Sequence, residues 1–229
     1  MPLYHPALRA VDPKETRRYA GLNRAADFKE EHIEAACEDA LLLAEPRGIY
    51  EIYDYDCAAQ VVKSQPPFHI EGKKIGAHLA GCEKVILLAV TVGGAIEKEV
   101  SARFRRGEYT SAVLLDAAAT TAVEQVADAV EHMLAPKIAR AGFTSRWRFS
   151  PGYGDWPLTQ QPEMIRTTNC QAIGVQLTSS LMLEPRKSVT AIIGLVRTQG
   201  KAPDTDAASA HTSCDACTQT DCPARKTDA

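Results

Sequence analysis

From Glu30 the apolar positions Ile33, Ala36, Cys37, Ala40, Leu41 and Ala44 recur at i, i+3, i+4 and i+7. That spacing buries one face of a helix, and Pro46 stops it. Upstream, Asp12-Pro13-Lys14-Glu15 supplies an N-cap, a proline at the first helical position and a carboxylate at the third, predicting a short helix through Tyr19 that Gly21 closes. Ile49 to Tyr55 reads as a strand, and Phe68 to Ile70 as another that Pro66 and Pro67 confine to an edge. Ile75 to Leu79 suits a helical turn ended by Gly81. Lys84 to Val92 is apolar on both faces, which predicts a central strand covered on both sides. Ala95 to Arg105 follows as a helix. Residues 110–141 have helical spacing throughout, predicting one long helix or a kinked pair, with Pro136 as the kink site and Gly142 as the C-cap. Gln160 to Ile173 reads as helical. Leu181 to Glu184 and Ser188 to Val196 read as two strands in a hairpin-like connection around Pro185-Arg186-Lys187. The order lacks regular β-α alternation, so the expected class is α+β: a twisted, mostly antiparallel sheet flanked by helices.

At Thr198 the composition shifts to Gly, Lys, Pro, Asp, Ala, Ser and Thr, which cannot bury much surface. The expected organisation is a body over 1–197, a linker over 198–213 and a Cys-rich tail over 214–229. A net charge of −3 with no dense basic stripe argues against nucleic acid as a partner. The first residues contain no apolar signal segment, and no run is long enough to cross a bilayer. Seven cysteines, four scattered and three bunched near the end, do not form a secreted disulfide framework. These features predict a cytoplasmic protein with no membrane association.

The chemistry concentrates in Arg148-Phe-Ser-Pro-Gly-Tyr-Gly-Asp-Trp-Pro157. Pro151 and Pro157 fix φ, and Gly152 and Gly154 permit close approach, so this is a rigid, shaped loop. Arg148 offers a planar fork for a carboxylate or phosphate, and Tyr153 and Trp156 offer flat faces for a ring or a cation. The competing reading is a tight turn whose aromatics fill a hydrophobic gap. Gly93-Gly94, between a strand and a helix, resembles half of a nucleotide-binding fingerprint; the third spaced glycine is missing, and helix capping is the favoured reading of the pair. Asp116 lies among Leu114, Leu115 and alanines, where a carboxylate needs a partner, so a structural ion pair is expected. In the tail, Cys214, Cys217 and Cys222 can hold zinc or an iron-sulfur cluster, with His211, Cys170 or Cys57 as the fourth ligand. Free thiols are the alternative.

Arg148-Phe-Ser-Pro151-Gly152-Tyr153, with Gly174-Val-Gln-Leu-Thr-Ser-Ser-Leu-Met-Leu-Glu-Pro-Arg-Lys-Ser188-Val downstream, resembles the activation domain of cobalamin-dependent methionine synthase, and most of all its free-standing relatives. Thr16 to Gly21, Thr91-Val-Gly-Gly94 and Leu114-Leu-Asp116 agree in order, so the resemblance spans roughly residues 10–197. It implies a curved α+β domain whose loop binds S-adenosylmethionine (AdoMet). Arg148 would pair with the methionine carboxylate; Pro151, Gly152 and Tyr153 would line the site, Tyr153 on the corrinoid side; Trp156 and Asp155 would neighbour the sulfonium. The implied reaction is reactivation of an oxidised corrinoid: an electron donor such as a flavodoxin or ferredoxin reduces cob(II)alamin, and AdoMet methylates the resulting cob(I) species. The chain has no Asp-x-His-x-x-Gly motif, so the cobalamin must be carried by a partner methyltransferase, with methionine synthase the expected one. Two alternatives stand beside this reading. One is a metal-binding (Fe-S or Zn) redox or assembly factor for a corrinoid system acting through Cys214, Cys217 and Cys222. The other is a nucleotide-dependent enzyme using Gly93-Gly94.

Overall fold

The computed structural model describes residues 3–198 apart from 24 and 26. The His211 and Cys214, Cys217, Cys222 ligand set therefore lies outside the described residues.

Asp12 caps α1 (Pro13–Tyr19), its carboxylate accepting from the amides of Lys14 at 2.8 Å and Glu15 at 3.4 Å. The next helix, α2 (Glu30–Leu43), buries Ile33, Ala36, Cys37 and Ala40, as its periodicity predicts. The sheet is built from β1 (Leu3–Tyr4), β2 (Arg47–Asp56), β3 (Val61–Val62), β4 (Phe68–His69), β5 (Lys84–Thr91), β6 (Phe143–Ser145) and β9 (Ser188–Arg197). Its order is β4-β3-β2-β5-β9-β6, with β1 paired to β2 and every pairing antiparallel. Central β5 is paired along its whole length on both sides, from Asp54↔Lys84 to Arg47↔Thr91 and from Lys84↔Leu195 to Thr91↔Ser188.

Alternation along β5 divides the core. Ile86, Leu88 and Val90 face a layer made by α1, α2, α4 (Ala95–Arg106) and α5 (Tyr109–Arg140). Val85, Leu87 and Ala89 face the opposite layer, which holds α3 (Lys73–His78), α6 (Gln161–Thr168), a 3-10 turn over Cys170–Ile173 and the loop carrying Trp156. Burial on both faces is why β5 carries no polar alternation. Pro136 lies within α5, which continues to Arg140.

Two sequence expectations change. The run from Gln160 to Ile173 is not one helix: Asn169 adopts φ 53°, ending α6 in the left-handed region and starting the 3-10 turn. Leu181–Glu184 and Ser188–Val196 do not form a hairpin. β8 (Leu183–Glu184) pairs with β7 (Gln176–Leu177) in a separate two-stranded ribbon, while β9 takes its partners from β5 and β6. The nucleotide reading of Gly93-Gly94 also loses its context. β5 lies between two antiparallel neighbours, so no parallel crossover unit exists there; Gly93, at φ 80°, makes the turn into α4.

Candidate functional site

From β6 the chain continues alongside β9. Arg146 donates its amide to the Gly194 carbonyl, and Phe149 exchanges both backbone hydrogen bonds with Ile192 at 3.0 and 2.8 Å. Side chains alternate on this extended segment, so Phe149 enters the core beside Trp156 while Arg148 reaches across the opposite face to α5.

There Arg148 meets three carboxylates, Glu124, Asp128 and Glu131, spaced i, i+4, i+7 on one face of α5. One terminal nitrogen donates to Asp128 at 2.7 Å and to Glu131; the other donates to Glu124 at 3.0 Å. Burial raises the Glu131 carboxyl above its ordinary range and the neighbouring Asp128 charge adds to this, although Arg148 pulls the other way. One cation serves three anions, so the cluster carries excess negative charge. In this structure the ligand-directed fork predicted for Arg148 holds the sheet edge to α5.

The same face of α5 continues towards its N-terminus through Thr120 and Asp116. Lys187 bridges them, its ammonium 2.9 Å from the Asp116 carboxylate and 2.8 Å from the Thr120 hydroxyl. The ion pair expected for Asp116 is thus present. Asp116 to Glu131 covers about 22 Å of helix at 1.5 Å per residue. Beside its N-terminal part lies a groove of about 530 Å³ lined by Tyr19, Val100, Phe104, Asp116, Thr120 and Arg186. Burial, with Glu124 nearby, pushes the Tyr19 phenol up to about 12. Sequence reasoning found Arg148 and Asp116 but missed Tyr19, Glu124, Asp128, Glu131 and Lys187. The i, i+4 polar stripe of α5 was the available signal.

Ser150 to Pro157 forms a self-bonded loop. Gly152 donates to the Trp156 carbonyl at 2.9 Å, Tyr153 to Ser150 at 3.1 Å and Trp156 to Tyr153 at 3.0 Å. Gly152 at φ 93° and Gly154 at φ 58° take conformations that side-chain-bearing residues rarely adopt. Pro151 is buried beneath the loop and Tyr153 is 63% exposed above it. Trp156 is 1% exposed, packed between Phe68 and Phe149, and its indole N–H donates to Gln160. The competing reading of an aromatic filling a gap describes Trp156, whose face is covered by core side chains. Asp155 accepts from the amides of Lys73 at 2.7 Å and Lys74 at 2.9 Å, so its carboxylate caps the first turn of α3. These backbone hydrogen bonds hold its carboxyl below the usual range.

No set of three or more His, Cys, Asp or Glu side chains suited to a metal occurs among the described residues. Cys170 is fully buried and Cys57 partly so. No helix among the described residues is long and apolar enough to cross a membrane.

No protein-family model and no curated protein matches this sequence. Among solved structures, the chain is similar to the crystal structure of the MetH reactivation domain bound to AdoHcy. The match has a TM-score of 0.53 at 13% identity and covers 90% of this chain and 81% of that one. The chain therefore has the fold of the MetH reactivation domain.

Proposed function

We propose that this chain binds AdoMet and supports reductive remethylation of a cobalamin or corrinoid carried by a partner methyltransferase, with methionine synthase the first candidate. The observation that carries this reading is the shared fold over 90% of the chain with a domain bound to AdoHcy, which is AdoMet without its methyl group. The Arg148 to Tyr153 loop adds support, because it follows directly on the strand that delivers a guanidinium to a cluster of unbalanced carboxylates.

The charges suit an amino-acid zwitterion. A ligand carboxylate would replace Asp128, the most exposed of the three partners, on the Arg148 fork, and the ligand ammonium would be taken up by Glu124 and Glu131. Pro151 and Gly152 would shape the wall behind the sulfonium, and exposed Tyr153 would face the incoming corrinoid protein. Trp156 acts beneath this surface, filling the core, and exposed Asp155 ties the loop to α3. AdoMet would supply a methyl group to a reduced cobalt centre held elsewhere. The contribution of this chain is to orient the donor and exclude water.

Calorimetric titration of AdoMet and AdoHcy into wild type and Arg148→Lys tests the reading. Lys keeps the charge but loses the planar fork, so the expected result is saturable binding that weakens by roughly 1.5–3 kcal/mol, the range for hydrogen bonds to charged groups. Absence of saturable binding of either compound to folded wild type would overturn the proposal. A partner's reduced corrinoid, followed by its absorption spectrum, then tests methyl transfer.

A further inference from the structure

Opposite the helical layer that Arg148 contacts, at the end of the sheet where β2 turns into β3, lie two thiols that this function does not use. The β2–β5 ladder ends with Tyr55 donating its amide to the Glu83 carbonyl at 2.9 Å, which brings Cys57, just after β2, beside Gly81 and Cys82, just before β5. The Gly81 amide donates to the Cys57 sulfur at 3.3 Å, so that sulfur sits against the residue preceding Cys82. Both cysteines belong to one apolar cluster. Cys82 is 2% exposed, whereas Cys57 is only partly covered.

Two neighbours mark this as more than core packing. The hydroxyl of Tyr55, a residue only 5% exposed, has no hydrogen-bond partner among the described residues, and burial raises its pKa, with Cys57 and Cys82 nearby. Arg146 lies against Cys82 and donates to the Ala80 carbonyl at 2.9 Å, placing a cation beside the buried member of the pair. The guanidinium favours the Cys82 thiolate, while burial acts more strongly in the other direction and raises that thiol overall.

We propose that Cys57 and Cys82 form a dithiol-disulfide pair, in which Cys57 is a modification site for low-molecular-weight disulfides and Cys82 is the resolving thiol. The Cys57 thiolate attacks the reagent disulfide, forming a mixed disulfide and releasing one reagent thiol. The Cys82 thiolate then attacks the Cys57 sulfur, closing the internal bond and releasing the second thiol. Two protein thiols lose two protons and two electrons, and one reagent disulfide is reduced to two thiols. Closure joins the β2–β3 turn to the end of α3. His78 of α3 hydrogen-bonds the Trp147 carbonyl at 2.9 Å, and the two rings lie tilted with centroids 4.2 Å apart, which ties α3 to the extended segment that carries Arg148.

The test incubates the full, reduced chain with oxidised glutathione, quenches by alkylation and maps each cysteine by peptide mass spectrometry, with Cys214, Cys217 and Cys222 scored separately. The expected wild-type product links the Cys57 and Cys82 peptides, with a change in tryptophan fluorescence that a reducing agent reverses. In Cys82→Ala the glutathione adduct on Cys57 should accumulate to roughly ten times its wild-type level, because the resolving step is gone. The inference is overturned if Cys57 and Cys82 remain alkylatable while the other thiols react. Equal amounts of adduct on Cys57 in wild type and Cys82→Ala would also overturn it. None of these outcomes depends on AdoMet binding.

Discussion

Arg148→Ala removes the only cation that bonds Glu124, Asp128 and Glu131 among the described residues, and leaves three carboxylates on one face of α5. Breaking a buried ion pair by deleting one partner costs about 3–5 kcal/mol, because the remaining charge is stranded. Asp128 is 54% exposed and can turn to solvent, and Arg148 itself is 20% exposed, so the lower end, about 3 kcal/mol, is expected. The loss should also depend on pH. Without Arg148, the mutual repulsion of the carboxylates raises their folded-state pKa values above the unfolded ones, and such a group contributes stability below its unfolded pKa that is lost as pH rises through the folded value. Glu131 already sits above its ordinary 4.5 in the wild type. The gap between variant and wild type should therefore be widest near neutrality and narrow towards pH 5. Urea denaturation followed by tryptophan fluorescence at both pH values measures it. A variant within about 1 kcal/mol of wild type at neutral pH, or a gap that widens on acidification, would refute the account, since a surface-type pair predicts a loss no larger than that.

Asp155→Ala should lower Tm by a few degrees through loss of the acceptor for the Lys73 and Lys74 amides, with Asp155→Asn falling between it and wild type. Because the carboxyl is held below its ordinary 3.8, the ionic part of this contribution is present above that pH and disappears as pH falls through the lower folded value. Gly194→Ala would place a Cβ 2.5 Å from the Cys82 sulfur inside the sheet and should cost about 1–3 kcal/mol in chemical denaturation. Gly76→Ala would first meet the end of the Gln60 side chain, at 2.6 Å, which can swing aside, so its stability should equal or exceed that of wild type.

The helices α1, α2, α4 and α5 and the strands β2 and β5 could be read from the sequence because each carries a long local period or a strong cap. β1, β3, β6 and β7 could not, since two or three residues do not establish a period and their pairing depends on β2, β9 and β8. The connection through Pro185 looked like a hairpin because two apolar runs flank it. Pairing of Thr91 with Ser188 gives β9 to β5 instead, and that contact is 97 residues long-range. Asn169 was a visible helix terminator whose left-handed tendency competed with the apolar spacing around it. At the site, a basic fork beside a Pro-Gly loop was evident from residue types alone. Its partners lie on a helix some twenty residues earlier, and the burial of Trp156 depends on Phe68 from another strand.

The attachment between the Pro-Gly loop and α3 uses peptide N–H groups on the helix side and a single carboxylate on the loop side. Positions 73 and 74 can therefore drift in charge and size without unfastening it. Proline alone, lacking the hydrogen these positions contribute, would release the joint from that side.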